Sequence, residues 1–332
     1  MAEPLFVGVD AGASKTVCLV GDAGRVLGRG TAGPGNPNVV GFEDHVAAVR
    51  ESAAAACAAA GLARLASARL PAARPRFARA WLGVAGSERP EMRERIRTAT
   101  AEALGAADVR VSHDAALILP AAGLRVGVAL VAGTGSSAYG VGPEGREVTI
   151  GGWGYLFGDE GSGYELGRLA LRAVSWAADG RGPATVLTAG ILGALGLEVP
   201  LDLLLRLYPA PPATEIAALA RVVLEAAGEG DSVACGLVEG AAAELAILVR
   251  TGARRAGLTS PGGDPPVGTP VDVVAAGGIV HDGSPMLAGL AAALGPVGYR
   301  VRRLEAEPAF GALELARRPP APVAGRGQQR GR

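Results

Sequence analysis

Asp10-Ala11-Gly12-Ala13-Ser14-Lys15-Thr16 stands between two apolar runs, residues 5–9 and 17–20. Runs of that length, rich in valine and leucine and separated by a small-residue turn, predict two buried strands in an antiparallel meander. A further turn at residues 21–24 leads into Arg25-Val26-Leu27-Gly28. The same pattern returns later in the chain: an apolar run at residues 125–131, then Ala132-Gly133-Thr134-Gly135-Ser136-Ser137, then Ala138-Tyr139-Gly140-Val141. A strand, a small-residue turn and a returning strand that occur twice predict a duplication, one copy per domain. The length of 332 residues agrees with two domains.

Working outward, Gly33-Pro34-Gly35-Asn36-Pro37-Asn38 reads as a rigid loop before a helix over residues 42–60 that stops at Gly61. Prolines and arginines over residues 62–77 predict a solvated loop. A strand at residues 80–85 follows, then a helix capped by Ser87 and closed after Leu104 by Gly105. Residues 109–111 form a further strand that runs into Ser112-His113-Asp114. The most glycine-paced segment, Gly151-Gly152-Trp153-Gly154-Tyr155-Leu156-Phe157-Gly158-Asp159-Glu160-Gly161, enters a helix through Ser162 and Glu165, which have the spacing of a capping box. Leu166, Leu169, Val174 and Trp176 are that helix's expected apolar positions. A long helix is expected over residues 231–256, a Gly/Pro loop over 259–270, a strand over 271–275 ahead of Gly277-Gly278-Ile279, and a helix capped at Ser284-Pro285. Residues 319–332 carry no periodicity and read as a disordered tail.

Composition removes several functions. Basic and acidic side chains number 32 each, so no charge excess suits nucleic acid or an anionic membrane surface. Cys18, Cys57 and Cys235 are far apart and form no CxxC pair, which argues against a disulfide framework, a thiolate zinc site or a cluster-bearing redox protein. Met1-Ala2-Glu3-Pro4 lacks the basic start of a secretory signal, and no stretch reads as an uninterrupted membrane helix. A soluble, cytoplasmic protein is the expectation.

Three glycine-rich turns follow strands: residues 10–16, Gly133-Thr134-Gly135-Ser136-Ser137 and Gly277-Gly278-Ile279. Backbone N–H groups at such turns form anion-binding concavities, and glycine lets them approach a phosphate closely. Together they point to a nucleotide. Neither familiar alternative fits. Residues 12–16 end in Lys-Thr like a Walker loop, but Ser14 precedes the lysine and a strand follows rather than a helix. Residues 133–138 meet a relaxed dinucleotide fingerprint, but again a strand follows and no acidic residue lies at the required distance. Asp10 is then either an Asx-turn residue or the partner of a magnesium ion. Lys15, the one lysine in the sequence, is either a solvated charge or a counter-charge to phosphate. Asp114, at a strand end, is either a helix cap or the base that takes a proton from an attacking sugar hydroxyl. Asp159 and Glu160 precede a helix start, which keeps carboxylates ionised; Asp159 can then fix sugar hydroxyls.

Taken in order, the turns at residues 10–16, 132–136 and 276–279, with Gly151-Gly152-Trp153-Gly154 and Gly158-Asp159-Glu160-Gly161-Ser162, resemble the BadF/BadG/BcrA/BcrD ATPase family and, more narrowly, its N-acetylglucosamine kinase branch. The resemblance runs from about residue 5 to 316. It implies an α/β fold of two ribonuclease-H-like, actin-like ATPase domains with a cleft between them, at residues 1–117 and 118–305, with a C-terminal helix near 306–317 returning to the first. It implies ATP and Mg²⁺ as cofactors and transfer of the γ-phosphoryl to the 6-hydroxyl of N-acetylglucosamine. By position, Asp10 would serve the metal. Gly12, Ala13, Ser14, Lys15 and Thr16 would form the first phosphate segment, Gly133, Thr134 and Gly135 the second, and Gly277 and Gly278 the adenosine border. Asp114 would be the catalytic base. Asn36, Gly152, Trp153 and Asp159 would join it on the sugar. Where the animal kinase places a serine on the sugar, this chain has Ala85. Glucosamine, N-acetylmuramic acid or another related sugar is the enzymatic alternative, and an ATP-gated sensor or activator the non-enzymatic one. The family's dehydratase activators need cluster cysteines, and ROK-type relatives usually carry a Cys-rich zinc motif; both are absent here. Family members are often dimers, so a homodimer is an allowed assembly.

Overall fold

Both meanders form, and each grows into a five-stranded sheet of the same order. In the computed structural model, which describes residues 3–62, 77–87, 89–208, 212–260, 265, 268–295 and 298–319, the strands are β1 (Phe6–Ala11), β2 (Thr16–Gly21), β3 (Val26–Ala32), β4 (Arg79–Val84), β5 (Val109–Ser112), β6 (Gly127–Ala132), β7 (Ser136–Val141), β8 (Glu147–Gly151), β9 (Val271–Ala276) and β10 (Tyr299–Arg303). The helices are α1 (Pro37–Val40), α2 (Phe42–Ala59), α3 (Pro90–Leu104), α4 (Ile118–Ala121), α5 (Gly163–Ala178), α6 (Leu187–Leu195), α7 (Asp202–Leu207), α8 (Ala213–Ala218), α9 (Ala220–Gly228), α10 (Ser232–Ala256), α11 (Pro285–Leu294) and α12 (Pro308–Arg317). The first sheet runs β3-β2-β1-β4-β5 and the second β8-β7-β6-β9-β10. In each, the meander is antiparallel and the last two strands join parallel to its first strand. This twice-used order is the α/β architecture expected from the sequence.

The chain divides into two compact units, residues 1–121 with 306–332, and residues 122–305. In the first, Val7, Val9, Leu82 and Val84 are buried on the sheet with Val49, Ala53 and Ala56 of α2 and Ile96 of α3. The other face of β1 and β2 is covered by α12, whose Ala309 and Leu313 pack on Val17 and Leu19. In the second, Val128 and Leu130 of β6 and Val273 of β9 share a core with Leu166, Ala170 and Val174 of α5 and Leu245 and Val249 of α10.

Four expectations change at this level. Helix α3 starts two residues later than expected: Arg89 is its N-cap, and the Ser87 hydroxyl instead donates to the Ser112 carbonyl at 3.2 Å. Trp176 is not a core residue. The stripe 166–170–174 points inward at four-residue spacing, and residue 176 falls off it, 41% exposed under Arg172 and Arg181. The capping box is offset: the Ser162 hydroxyl accepts the Glu165 N–H, but the Glu165 carboxylate reaches back to the Gly161 N–H at 2.7 Å. Lastly, α10 is long and apolar enough to cross a membrane by length and composition. Ala241, Leu245, Val249 and Ala253 are nonetheless buried on one face of it, in the core of the second unit. The expected loop at residues 62–77 and the tail lie largely outside the described residues, as does half of the loop at 259–270.

Candidate active site

Parallel strands end together, so the residues just past β1, β4 and β5 share one edge of the first sheet. Asp10 of β1 pairs with Gly83 of β4, and Gly83 with Ser112 of β5. The crevice outside the carboxyl ends of parallel strands is where α/β sheets bind ligands. Asp10 is the penultimate residue of β1, just before the turn that Gly12 N–H and the Lys15 carbonyl tie at 3.0 Å. The Gly12 carbonyl accepts two further N–H groups, from Gly35 at 2.9 Å and Asn36 at 3.1 Å, which fastens the Asn36 loop to the turn at residues 12–15. Thr16 donates its hydroxyl to the Gly33 carbonyl, and buried His45 places Nδ1 2.5 Å from the Gly35 carbonyl. That contact makes Nδ1 the donor. Nε2 has no hydrogen-bond partner among the described residues, and burial lowers the imidazolium pKa, so the ring is neutral at neutral pH.

Asn36 caps α1, its Oδ1 accepting the Asn38 N–H at 2.9 Å. Asp114 begins a 3₁₀ turn (Asp114–Leu117) after β5; its Oδ1 accepts the Ala115 N–H at 2.9 Å and lies 2.9 Å from His113 Nδ1. Oδ2 takes no hydrogen bond from the described residues. The N-cap of this turn is His113, whose Nδ1 accepts the Ala115 N–H at 3.2 Å; Asp114 is the first residue inside the turn rather than its cap, and it presents an open oxygen. Asp10 is held where charge is costly: burial first, and the Asp114 carboxylate second, push its pKa up to about 7, with Lys15 opposing. Lys15 Nζ lies 3.6 Å from Glu307, the N-cap of α12, which Arg29 grips through two N–H groups at 2.7 and 2.8 Å. Glu307 and Arg29 carried no signal in the sequence, being 278 residues apart.

The second unit repeats the device. The turn after β6 closes from Gly133 N–H to the Gly135 carbonyl at 3.0 Å. Its Gly133 and Thr134 carbonyls accept the Gly163 and Tyr164 N–H groups at the start of α5. Asp159 lies against this turn. It is the sole non-glycine with positive φ (61°) among the described residues, a strained geometry of the kind found at functional sites. Its Oδ1 accepts the Ser136 N–H at 3.2 Å, and a Cβ on residue 135 would stand 2.6 Å from its Oδ2, so only glycine leaves room for the carboxylate. Burial raises the Asp159 pKa, against the Ser136 N–H that lowers it. Trp153 is 72% exposed on the loop that Gly152 N–H ties to the Ser136 carbonyl. Gly277 and Gly278 follow β9, with the Ile279 N–H on the Ala132 carbonyl at 3.4 Å. Beside them opens a cavity of about 490 Å³ lined by Gly133, Thr134, Gly278, Thr214, Arg221 and His281 among others. Thr214 and Arg221 belong to α8 and α9, whose sequence gave no hint of a ligand.

The sequence-expected residues therefore fall into two sets. Asp10, residues 12–16, Asn36 and Asp114 gather at one sheet edge of the first unit. Gly133–Gly135, Gly152, Trp153, Asp159, Gly277 and Gly278 belong to the second. Comparison with known proteins gives a family and relatives. The BadF/BadG/BcrA/BcrD ATPase family matches residues 7–316. An N-acetylmuramic acid/N-acetylglucosamine kinase from Clostridium acetobutylicum is 33% identical over 74% of this chain and 78% of its own length. An N-acetyl-D-glucosamine kinase from Dictyostelium discoideum is 29% identical over 78% of this chain and 82% of its own. Among solved structures, a candidate N-acetylglucosamine kinase from Chromobacterium violaceum superposes with a TM-score of 0.73 at 25% identity, covering 95% of this chain and 99% of that one.

Proposed function

The chain belongs to the BadF/BadG/BcrA/BcrD ATPase family, and from that premise we propose that it is an ATP-dependent kinase that phosphorylates the 6-hydroxyl of N-acetylglucosamine. The observation that carries this reading is Asp114, with one carboxylate oxygen open at the strand ends, beside Asp10 and on the same unit as the Asn36 loop. A primary hydroxyl is a poor nucleophile until its proton is accepted, and a positioned carboxylate contributes about 10²–10⁴-fold by doing so. Asp114 takes that proton. Asn36 orients the acceptor, and the glycine-turn amides with Lys15 offset charge on the transferring phosphoryl; in phosphoryl transfer, positioning and electrostatics are nearly all the protein supplies. In the second unit, Thr134, Gly278 and the 490 Å³ cavity take the nucleoside side of ATP. Asp159 and Trp153 contribute to the sugar.

Asp10 also fits a divalent cation: it is a carboxylate pushed up to about 7 by burial and a second carboxylate, with a single lysine opposing. Among the described residues no cluster of three or more acidic, His or Cys side chains could hold a metal alone, as suits Mg²⁺ held by one or two carboxylates plus phosphates. Asp10 would hold it, and the ion would neutralise phosphate charge.

The test is ADP release measured with a panel of sugars. Stimulation by N-acetylglucosamine well above the sugar-free rate is expected. ATP binding with no response to any sugar would overturn the kinase reading in favour of an ATP-gated sensor. A second acceptor, N-acetylmuramic acid, is favoured by the dual name of the Clostridium relative, and the same panel decides it.

A further inference from the structure

Two carboxamides, not one, converge on the acceptor end of the first unit. Gly86 lies two residues beyond β4 with φ +83°, a conformation that favours glycine. A Cβ built there would stand 2.9 Å from Asn36 Oδ1 and closer still to Asn38 Nδ2. The space a side chain would fill is taken by the two asparagine heads. Their bonding differs. Asn36 Oδ1 is engaged by the Asn38 N–H, which leaves its Nδ2 as the free donor. Asn38 is exposed, and among the described residues its only side-chain bond is a long one, Nδ2 to the Gly86 carbonyl at 3.5 Å, at the edge of a hydrogen bond. Its Oδ1 and one N–H remain open.

Asn38 is not needed for the local fold. Asn36 caps α1 through the Asn38 backbone N–H, which any residue but proline supplies. The loop is held by Gly12, Thr16 and His45. A side chain fixed on so rigid a base, with spare donor and acceptor, loses little entropy on taking a ligand. The neighbouring residue 85 offers only a methyl group, its N–H being on the Ala11 carbonyl at 3.3 Å. A carboxamide presents a donor and an acceptor side by side, which matches two adjacent ring hydroxyls of a hexose.

We infer that Asn38 is a further acceptor-binding residue that, with Asn36 across Gly86, reads a pair of adjacent ring hydroxyls and so sets which sugars are accepted. The inference rests on the reading of this sheet edge as the sugar site. Asn36 supplies the free Nδ2 donor and Asn38 the free Oδ1 acceptor. Both act before the chemical step, in binding.

Steady-state kinetics and calorimetric binding of N-acetylglucosamine, with Asn38→Ala and Asn38→Asp, test it; thermal melting checks the fold. For Asn38→Ala the KM and Kd for the sugar rise about tenfold, the scale of one or two hydrogen bonds lost, while KM for ATP is unchanged. Asn38→Asp, which keeps the acceptor and loses the donor, shows a smaller rise. Against 3-deoxy and 4-deoxy N-acetylglucosamine, the wild type loses affinity where Asn38 reads the missing hydroxyl, and Asn38→Ala loses nothing further there. A variant with wild-type sugar affinity, or with deoxy penalties fully additive to its own, overturns the inference and leaves the kinase reading standing. A wild type that neither binds nor turns over any sugar overturns both.

Discussion

Asp10 sits among groups that oppose its charge. The unfolded chain releases its proton near the ordinary value of 3.8, and the folded chain near 7. Between those values the folded state binds more protons than the unfolded one, so stability falls as pH rises through that window, and the whole penalty is present above about pH 7. Asp10→Asn removes the charge. It should leave stability unchanged at pH 4 and raise it by about 2–4 kcal/mol at pH 8, read as a higher melting temperature at pH 8 only, while turnover falls. An equal gain at both pH values would show that the folded-state carboxyl is not perturbed. Asp114 belongs to the same scale with a different signature. Asp114→Ala should lower kcat by at least about a hundredfold with nucleotide binding retained, measured as ADP release beside calorimetric ATP binding. Near-normal turnover would take Asp114 out of the mechanism.

The second glycine turn is an element whose shape depends on what lies across it. Gly135 has no Cβ, and the Asp159 carboxylate fills that place, bonded to the Ser136 N–H. Gly135→Ala would push the carboxylate off the turn or force the turn open. The expected outcome is a loss of kcat/KM of one to two orders of magnitude, with a melting temperature within a few degrees of wild type, since the turn lies on the surface of its unit. Unchanged kinetics would mean that the Asp159 position against this turn has no part in the reaction. Asp159 was visible in the sequence as a carboxylate before a capped helix; its partner Ser136, 23 residues away, was not. That contrast runs through the site. Asp10 and Asp114 were singled out by a local pattern, a short apolar run giving way to small or polar residues, whereas Asn36 came only from the family resemblance. Glu307, Arg29, Thr214 and Arg221 were not legible, because their meaning comes from residues brought beside them by the sheet order. Trp176 misled for a related reason: hydrophobicity counted toward the core, whereas the helix phase turned it outward beneath two arginines.

At the scale of the whole chain the first unit is discontinuous: it is left after residue 121 and completed from residue 306. The returning segment does more than trail. Ala309 and Leu313 cover Val17 and Leu19, and Ala312 and Leu315 pack on Leu117. Arg79 donates to the Ala316 and Arg318 carbonyls, Arg317 to those of Asp22 and Arg25, and Glu307 holds Lys15 and Arg29. Fully burying one aliphatic side chain contributes about 1.5–3 kcal/mol, and the several lost together are comparable with the whole stability of a typical domain. Ending the chain at residue 305 should therefore unfold the first unit while the second, whose core draws only on residues 122–305, keeps its helices. Far-ultraviolet circular dichroism of the truncated chain should show a partial loss of signal, and its melt should lack one transition present in the full chain. Sugar-stimulated ADP release should be absent. A truncated chain with full ellipticity and a wild-type melt would show that the sheet of the first unit holds without its last helix.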